Sequence, residues 1–125
     1  MAKTLVTGGA GFIGSHLWKY LADQGQDVTI IDNNTRGMLD SDLLNFICKK
    51  NVHYIEADLT DPTTFKKLGV SYDQVYHLAA INGTKYFYEI PDKVLKTNIL
   101  STINVLDWFT QSNIRKILFS SSSET

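Results

Sequence analysis

Thr4-Leu-Val-Thr-Gly-Gly-Ala-Gly-Phe-Ile-Gly14 passes from a short apolar run through glycines into a helical pattern that starts at Phe12. That is a strand, a tight turn and a helix. The glycines read two ways: Gly9, Gly11 and Gly14 give G-x-G-x-x-G, while Gly8, Gly11 and Gly14 give the looser G-x-x-G-x-x-G. The physics is shared. One glycine tolerates the positive φ of a sharp strand-to-helix turn, a second lets the main chain approach a pyrophosphate with no Cβ in the way, and a third lets helix and strand pack closely. The unpaired N–H groups of the helix N-terminus then face the phosphate. Gly8, Gly11, Phe12 and Ile13 are therefore candidate contacts to a dinucleotide. Alone such a motif is weak, because glycines also mark ordinary turns; the strand before it and the helix after it give it weight.

Working outward, Phe12, Ile13, His16, Leu17, Tyr20 and Leu21 recur at helical spacing up to Gly25, which suits a C-cap. Asp27-Val-Thr-Ile-Ile-Asp32 is a β-branched run of strand length that ends in an acid. The two strands and the helix between them make one βαβ unit. Asn33 to Gly37 reads as a polar loop and Leu39 to Lys50 as a short amphipathic helix; Asn51 to Glu56 is a third strand. Ala57 to Pro62 is a loop with Thr60 or Asp61 as N-cap of a helix that runs to about Leu68. Gln74 to Ala79 is a fourth strand, followed by an aromatic loop through Tyr86, Phe87 and Tyr88, expected to be partly buried. Pro91 opens the longest helix, in which Val94, Leu95, Ile99, Ile103, Leu106 and Phe109 keep a 3.6-residue period to about Ser112. Arg115 to Ser120 is a fifth strand.

Strands alternating with helices predict an α/β fold, a doubly wound parallel sheet (Rossmann fold) covered on both faces, with strand order 3-2-1-4-5. The fifth strand is then an uncovered edge, so the sheet is expected to be incomplete at its C-terminal side, either lacking a further part of the chain or borrowing a partner.

With 125 residues and 43% hydrophobic content, one domain spanning residues 1–125 is expected. Twelve basic against thirteen acidic residues leave a formal charge of −1, which gives no broad footprint for nucleic acid or for an anionic membrane surface. The single Cys48 has no disulfide partner within the chain and reads as a small apolar side chain. No run approaches the ~20 apolar residues that span a bilayer, and none resembles a signal peptide, so a cytoplasmic protein is expected.

Asp32 ends the second strand beside the glycine turn, where a carboxylate can accept both hydroxyls of an adenosine ribose and repel a 2′-phosphate. NAD is thus expected in preference to NADP; Arg36, four residues later, could meet a phosphate, and a plain turn-forming role for Asp32 is the alternative. Asn33 follows it into the loop. Asp58 and Leu59 end the third strand on the same edge, where an adenine ring would lie, although Asp58 could equally cap the next helix. Ala79 and Ala80 are small enough to let a cofactor pass close, or to be packing residues. His16, His53 and His77 lack metal-ligand spacing and read as structural. Asn98 could tie the long helix to a neighbouring main chain. The hydroxyls of Ser120 to Ser123 sit at the same edge as the glycine turn, where one could hydrogen-bond a substrate oxygen.

Taken together, T-G-G-A-G-F-I-G at 7–14, I-I-D-N at 30–33, A-D-L-T-D at 57–61, H-L-A-A at 77–80, the Asn98 helix and K-I-L-F-S-S-S at 116–122 resemble the N-terminal part of an extended short-chain dehydrogenase/reductase of the NAD-dependent sugar-nucleotide epimerase/dehydratase family. The resemblance implies oxidation of a nucleotide-sugar hydroxyl by tightly held NAD⁺, followed by epimerisation, elimination or decarboxylation and return of the hydride. It places the family's active hydroxyl on Ser122, with Ser121 and Ser123 as alternative registers. Glu124 stands where similar dehydratases and UDP-glucuronate decarboxylases carry an acid. The family's Tyr-x-x-x-Lys pair is absent: Ile90 and Asp92 follow Tyr86 and Tyr88 by four residues. The substrate-binding C-terminal lobe is absent as well, so the 125 residues alone are expected to give no turnover. A non-catalytic NAD-binding module or sensor is the alternative. The long helix offers a surface for a homodimer, as resembling enzymes use, or is simply buried against the sheet.

Overall fold

Strands β1 (Lys3–Thr7), β2 (Asp27–Asp32), β3 (Val52–Glu56), β4 (Gln74–His77) and β5 (Lys116–Phe119) form one sheet in the order β3-β2-β1-β4-β5. Every neighbouring pair is parallel. The computed structural model describes residues 2–8, 12–32, 51–69, 71–78, 88–89 and 91–119, and within them helices α1 (Phe12–Asp23), α2 (Thr64–Leu68) and α3 (Pro91–Thr110). The expected helix at 39–50, with Cys48, and the residues Arg36, Tyr86 and Phe87 lie outside the described residues.

Alternation along the strands divides the core in two, because successive side chains point to opposite faces. Val6, Val28, Ile30 and Val52 pack against Trp18, Leu21 and Ala22 of α1. Leu5, Ile31 and Val75 face the other way, against Phe65 and Leu68 of α2 and Val105 and Trp108 of α3. The central strands β1 and β2 are therefore buried on both sides, as a parallel sheet with helices on each face requires. Each fully buried Val, Leu or Ile contributes about 1.5–3 kcal/mol.

Helix α1 ends where expected, with Gly25 at φ +84° and the Gln26 N–H donating to the Leu21 carbonyl at 3.2 Å. Its buried face differs from the expected stripe. Gly14, Trp18, Leu21 and Ala22 face the sheet, whereas Ile13 and Tyr20 are exposed. Gly14 explains the rotation: with no side chain it brings the helix onto the strands along its own line, which runs through residues 18, 21 and 22.

Helix α2 starts at Thr64, later than the expected cap at Thr60 or Asp61. Two carboxylates have already turned the chain. Asp58 Oδ1 accepts from the Thr60 N–H at 2.9 Å and the Thr60 hydroxyl at 2.7 Å. Asp61 Oδ1 accepts from the Thr63 N–H at 3.0 Å and the Thr63 hydroxyl at 2.8 Å. These local bonds compete with helix formation until Thr64.

Of the apolar stripe on α3, which the sequence leaves open between a dimer surface and burial against the sheet, Leu95, Ile99, Ile103 and Leu106 are exposed, from 37% for Leu106 to 63% for Leu95, whereas Phe109 packs against the core. The buried residues are Ser101, Val105 and Trp108. Tyr88, expected to be partly buried, is exposed. Strand β5 forms the outer edge, with Leu118 and Phe119 about half exposed. Among the described residues no helix is long and apolar enough to cross a membrane.

Candidate functional site

The strand order reverses between β1 and β4, so their connections leave in opposite directions, and in sheets of this kind the crevice that takes a ligand lies at the carboxyl ends of such a strand pair. Its floor is tied together by buried polar groups. The Leu78 N–H donates to Thr7 Oγ1 at 2.9 Å, and the same oxygen lies 2.7 Å from His77 Nδ1. On the other side of the ring, His77 Nε2 lies 3.2 Å from Thr102 Oγ1 on α3. Thr7 is fully buried and His77 nearly so. Burial pushes the His77 imidazole down from 6.5 to about 4, so it is neutral at physiological pH. Either neutral tautomer satisfies the two hydroxyls, because each can donate or accept. One ring thereby joins β1, β4 and α3 below the crevice, the structural role expected for it.

Above this floor the chain leaves β1 at Gly8. Its N–H still donates to the Ile31 carbonyl at 2.8 Å, while its φ of +73° turns the backbone into a conformation that an L side chain rarely adopts. Of the glycines in the two readings, Gly8 is thus a position with a demonstrated need for glycine, and Gly14 is the helix-packing position. Phe12 is the first residue of α1 and Ile13 is 68% exposed in its first turn, where helix N–H groups have no intrahelical partner. An apolar side chain exposed in the first turn of a helix is a surface that a ligand could cover.

Asp32 is the last residue of β2 and is half-buried; its carbonyl accepts the Ala57 N–H at 3.0 Å. It stands directly across from Glu56, the last residue of β3. By strand alternation both belong to the α1 face, together with Tyr54. The next residues diverge. Asp58 stays exposed and holds its turn, whereas the Leu59 side chain is buried in the core against α2 and α3. The Leu59 carbonyl accepts from Asn104 Nδ2 at 2.9 Å, a tie of the kind expected of Asn98. Gly11, Asn33, Ala79, Ala80 and Ser122 lie outside the described residues.

Sequence reading missed Thr7, Thr102, Asn104 and Glu56. Ser101, Thr102, Val105 and Trp108 mark the inner face of α3 by helical spacing, but the longer apolar stripe beside them masks that signal.

Residues 4–125 match the family model described as "NAD dependent epimerase/dehydratase family". The chain belongs to this family. Among family relatives it is 36% identical over 120 residues to UDP-glucuronic acid decarboxylase 1 of Danio rerio, an alignment covering 96% of this chain and 27% of the relative. It is 31% identical to UDP-glucose 4-epimerase of Yersinia enterocolitica, covering 95% of this chain and 36% of that protein. The chain thus spans about a third of the length of the curated relatives it matches. A UDP-glucose-4-epimerase structure from Stenotrophomonas maltophila, with bound NAD and formylated UDP-arabinopyranose, superposes with a TM-score of 0.86 at 29% identity, covering 99% of this chain and 38% of that one. Both expectations made above, the doubly wound parallel sheet and the epimerase/dehydratase family, hold.

Proposed function

We propose that residues 1–125 form the N-terminal NAD-binding Rossmann portion of an enzyme that acts on a nucleotide sugar as an epimerase, dehydratase or decarboxylase. One observation carries this reading: the left-handed turn at Gly8, the start of α1 and the Asp32 carboxylate all lie on the carboxyl edge beside the reversal of strand order. These residues fit a dinucleotide. Gly8, Gly11, Phe12 and Ile13 would hold its pyrophosphate, Asp32 and Asn33 its adenosine ribose, and Asp58 with the Leu59 main chain its adenine; Ala79 and Ala80 would leave room at the end of β4. Asp32 favours NAD over NADP by repelling a 2′-phosphate. When bound, NAD⁺ would supply a hydride acceptor for a sugar hydroxyl.

Within the chain, Ser122, three positions after the last residue of β5, would hydrogen-bond the reacting sugar oxygen. Family relatives named for UDP-glucuronic acid decarboxylation and UDP-glucose epimerisation support a UDP-sugar substrate. No tyrosine in the 125 residues is followed four positions later by lysine, so these residues by themselves would not move the hydroxyl proton. The alternative reading is a non-catalytic NAD-binding module. Turnover of UDP-glucuronate or UDP-glucose by the complete gene product would exclude it.

Calorimetry tests the shared cofactor claim. NAD⁺ binds the wild-type protein, and Asp32→Ala weakens it at least about tenfold, because two charge-assisted hydrogen bonds are lost. Unchanged affinity in the variant would overturn the assignment. The outward stripe of α3 supports a homodimer that buries Leu95, Ile99, Ile103 and Leu106. Sedimentation should show a dimer that Ile103→Asp dissociates; a wild-type monomer at micromolar concentration refutes this.

A further inference from the structure

Asp32 does not stand alone at the end of β2. In the β2–β3 ladder it faces Glu56 directly, and parallel neighbours are ~4.8 Å apart. Because side chains alternate, the two carboxylates leave the same face of the sheet, the one that carries α1. Both close their strands on the edge where the glycine turn lies. Tyr54, two residues before Glu56, reports that the two charges converge. Its phenol oxygen is buried with no hydrogen-bond partner among the described residues, and burial, then Asp32, then Glu56 push its pKa up to about 12. One phenol therefore senses both acids. Among the described residues Glu56 forms no ion pair that would neutralise it, and it is exposed towards any molecule resting on this edge.

Two in-register acids at a sheet edge are unfavourable to each other, since like charges directly opposite repel. Their joint field is also larger than either alone. An adenosine ribose presents two neutral hydroxyls to it, whereas a 2′-phosphorylated ribose brings close to two negative charges. We propose that Glu56 is a second specificity-determining residue: paired in register with Asp32, it adds to the field that a 2′-phosphate meets and so enforces NAD over NADP. This rests on the reading of Asp32 as the ribose-binding carboxylate. The two residues divide the work. Asp32 binds the ribose hydroxyls and discriminates, whereas Glu56, further from the ribose and more exposed, discriminates by charge alone.

The chemistry fixes the size and the salt dependence of the effect. A partly screened carboxylate ~7 Å from a doubly charged phosphate in a water-like dielectric alters relative affinity by about threefold at low salt, and by much less once the Debye length shrinks to a few ångströms. A role for Glu56 in folding would not depend on salt in this way.

The experiment measures the ratio of NADP⁺ to NAD⁺ affinity by calorimetry for the wild-type protein, Glu56→Gln, Glu56→Lys and Asp32→Asn, in ~50 mM and ~500 mM NaCl. The expected result is a shift of the ratio towards NADP⁺ of about threefold in Glu56→Gln and about tenfold in Glu56→Lys at low salt, both shrinking at high salt. Equal ratios in wild type and both Glu56 variants, with Asp32→Asn still shifted, would overturn the role of Glu56 and leave the Asp32 reading intact. A ratio unmoved by Asp32→Asn, or no binding of NAD⁺ by the wild-type protein, would instead remove the reading on which the inference rests.

Discussion

At the amino end of the sheet, side chains close on one another. The Thr4 hydroxyl donates to Gln26 Oε1 at 2.6 Å, and Gln74 Nε2 donates to both the Thr4 hydroxyl, at 3.0 Å, and Gln26 Oε1, at 3.2 Å. Asn51 Nδ2 reaches the Ala22 and Gln26 carbonyls, and the Trp108 indole N–H donates to the Gly69 carbonyl at 2.9 Å. The carboxyl end is built otherwise. Among the described residues its floor, Thr7-His77-Thr102, is closed by hydrogen bonds, and beside it lie a left-handed glycine, a helix start and two acids in register. A parallel sheet gathers polar main-chain ends at both edges. Where side chains satisfy each other, the edge holds the fold; the carboxyl edge of a parallel sheet at a strand-order reversal is where such folds bind ligands.

This division predicts which property each change should touch. Trp108→Ala should have the largest effect. The ring packs 5.8 Å from Phe65 and 5.9 Å from Tyr72, and its removal should cost about 3–5 kcal/mol in urea denaturation while NAD⁺ affinity of the folded fraction stays within about twofold. A parallel fall in affinity would show that the two ends are not independent.

His77 should come next, through pH. Its folded pKa of about 4 lies below the unfolded value of 6.5, so as pH falls the unfolded chain takes up the proton first. The stability is fully present above pH 6.5 and is lost as pH falls towards 4, by on the order of 3 kcal/mol. The wild-type protein should therefore lose more stability between pH 7 and pH 4.5 than His77→Gln does; identical pH profiles would deny the ring its buried, neutral state. Asp32→Ala follows, with at least tenfold weaker NAD⁺ binding and a denaturation midpoint moved by less than ~0.5 kcal/mol. The threefold selectivity change at Glu56 is the smallest.

Much of this architecture was legible in the residues. The glycine turn, the β-branched run ending in Asp32 and the strand–helix alternation dictate the sheet order, because parallel strands need crossovers of fixed hand. Helix faces were less legible. Hydrophobicity locates a stripe on α3 but does not say whether the sheet or another surface covers it, and Val105 and Trp108 lie on the inner line with Ser101 while the longer stripe turns outward. On α1 the orientation follows from Gly14, a residue whose influence lies in what it lacks. Within the candidate site, Asp32 announced itself by strand position, but Glu56 needed the register, a relation between residues 24 positions apart that no local pattern encodes. Asp58 illustrates a third limit: as a helix cap or as part of an independent turn it has the same sequence, and the threonine two residues on decides between them.

The two tryptophans of the chain give this layered design an optical readout. Trp18 is fully buried between α1 and the sheet, and Trp108 lies under α3 on the opposite face. Each fluorophore reports on one layer. With Trp108→Phe the emission follows the α1 side, which carries Asp32 and Glu56, and with Trp18→Phe it follows the α3 side, so red-shift and quenching curves from the two variants would time the opening of each layer separately within one sheet.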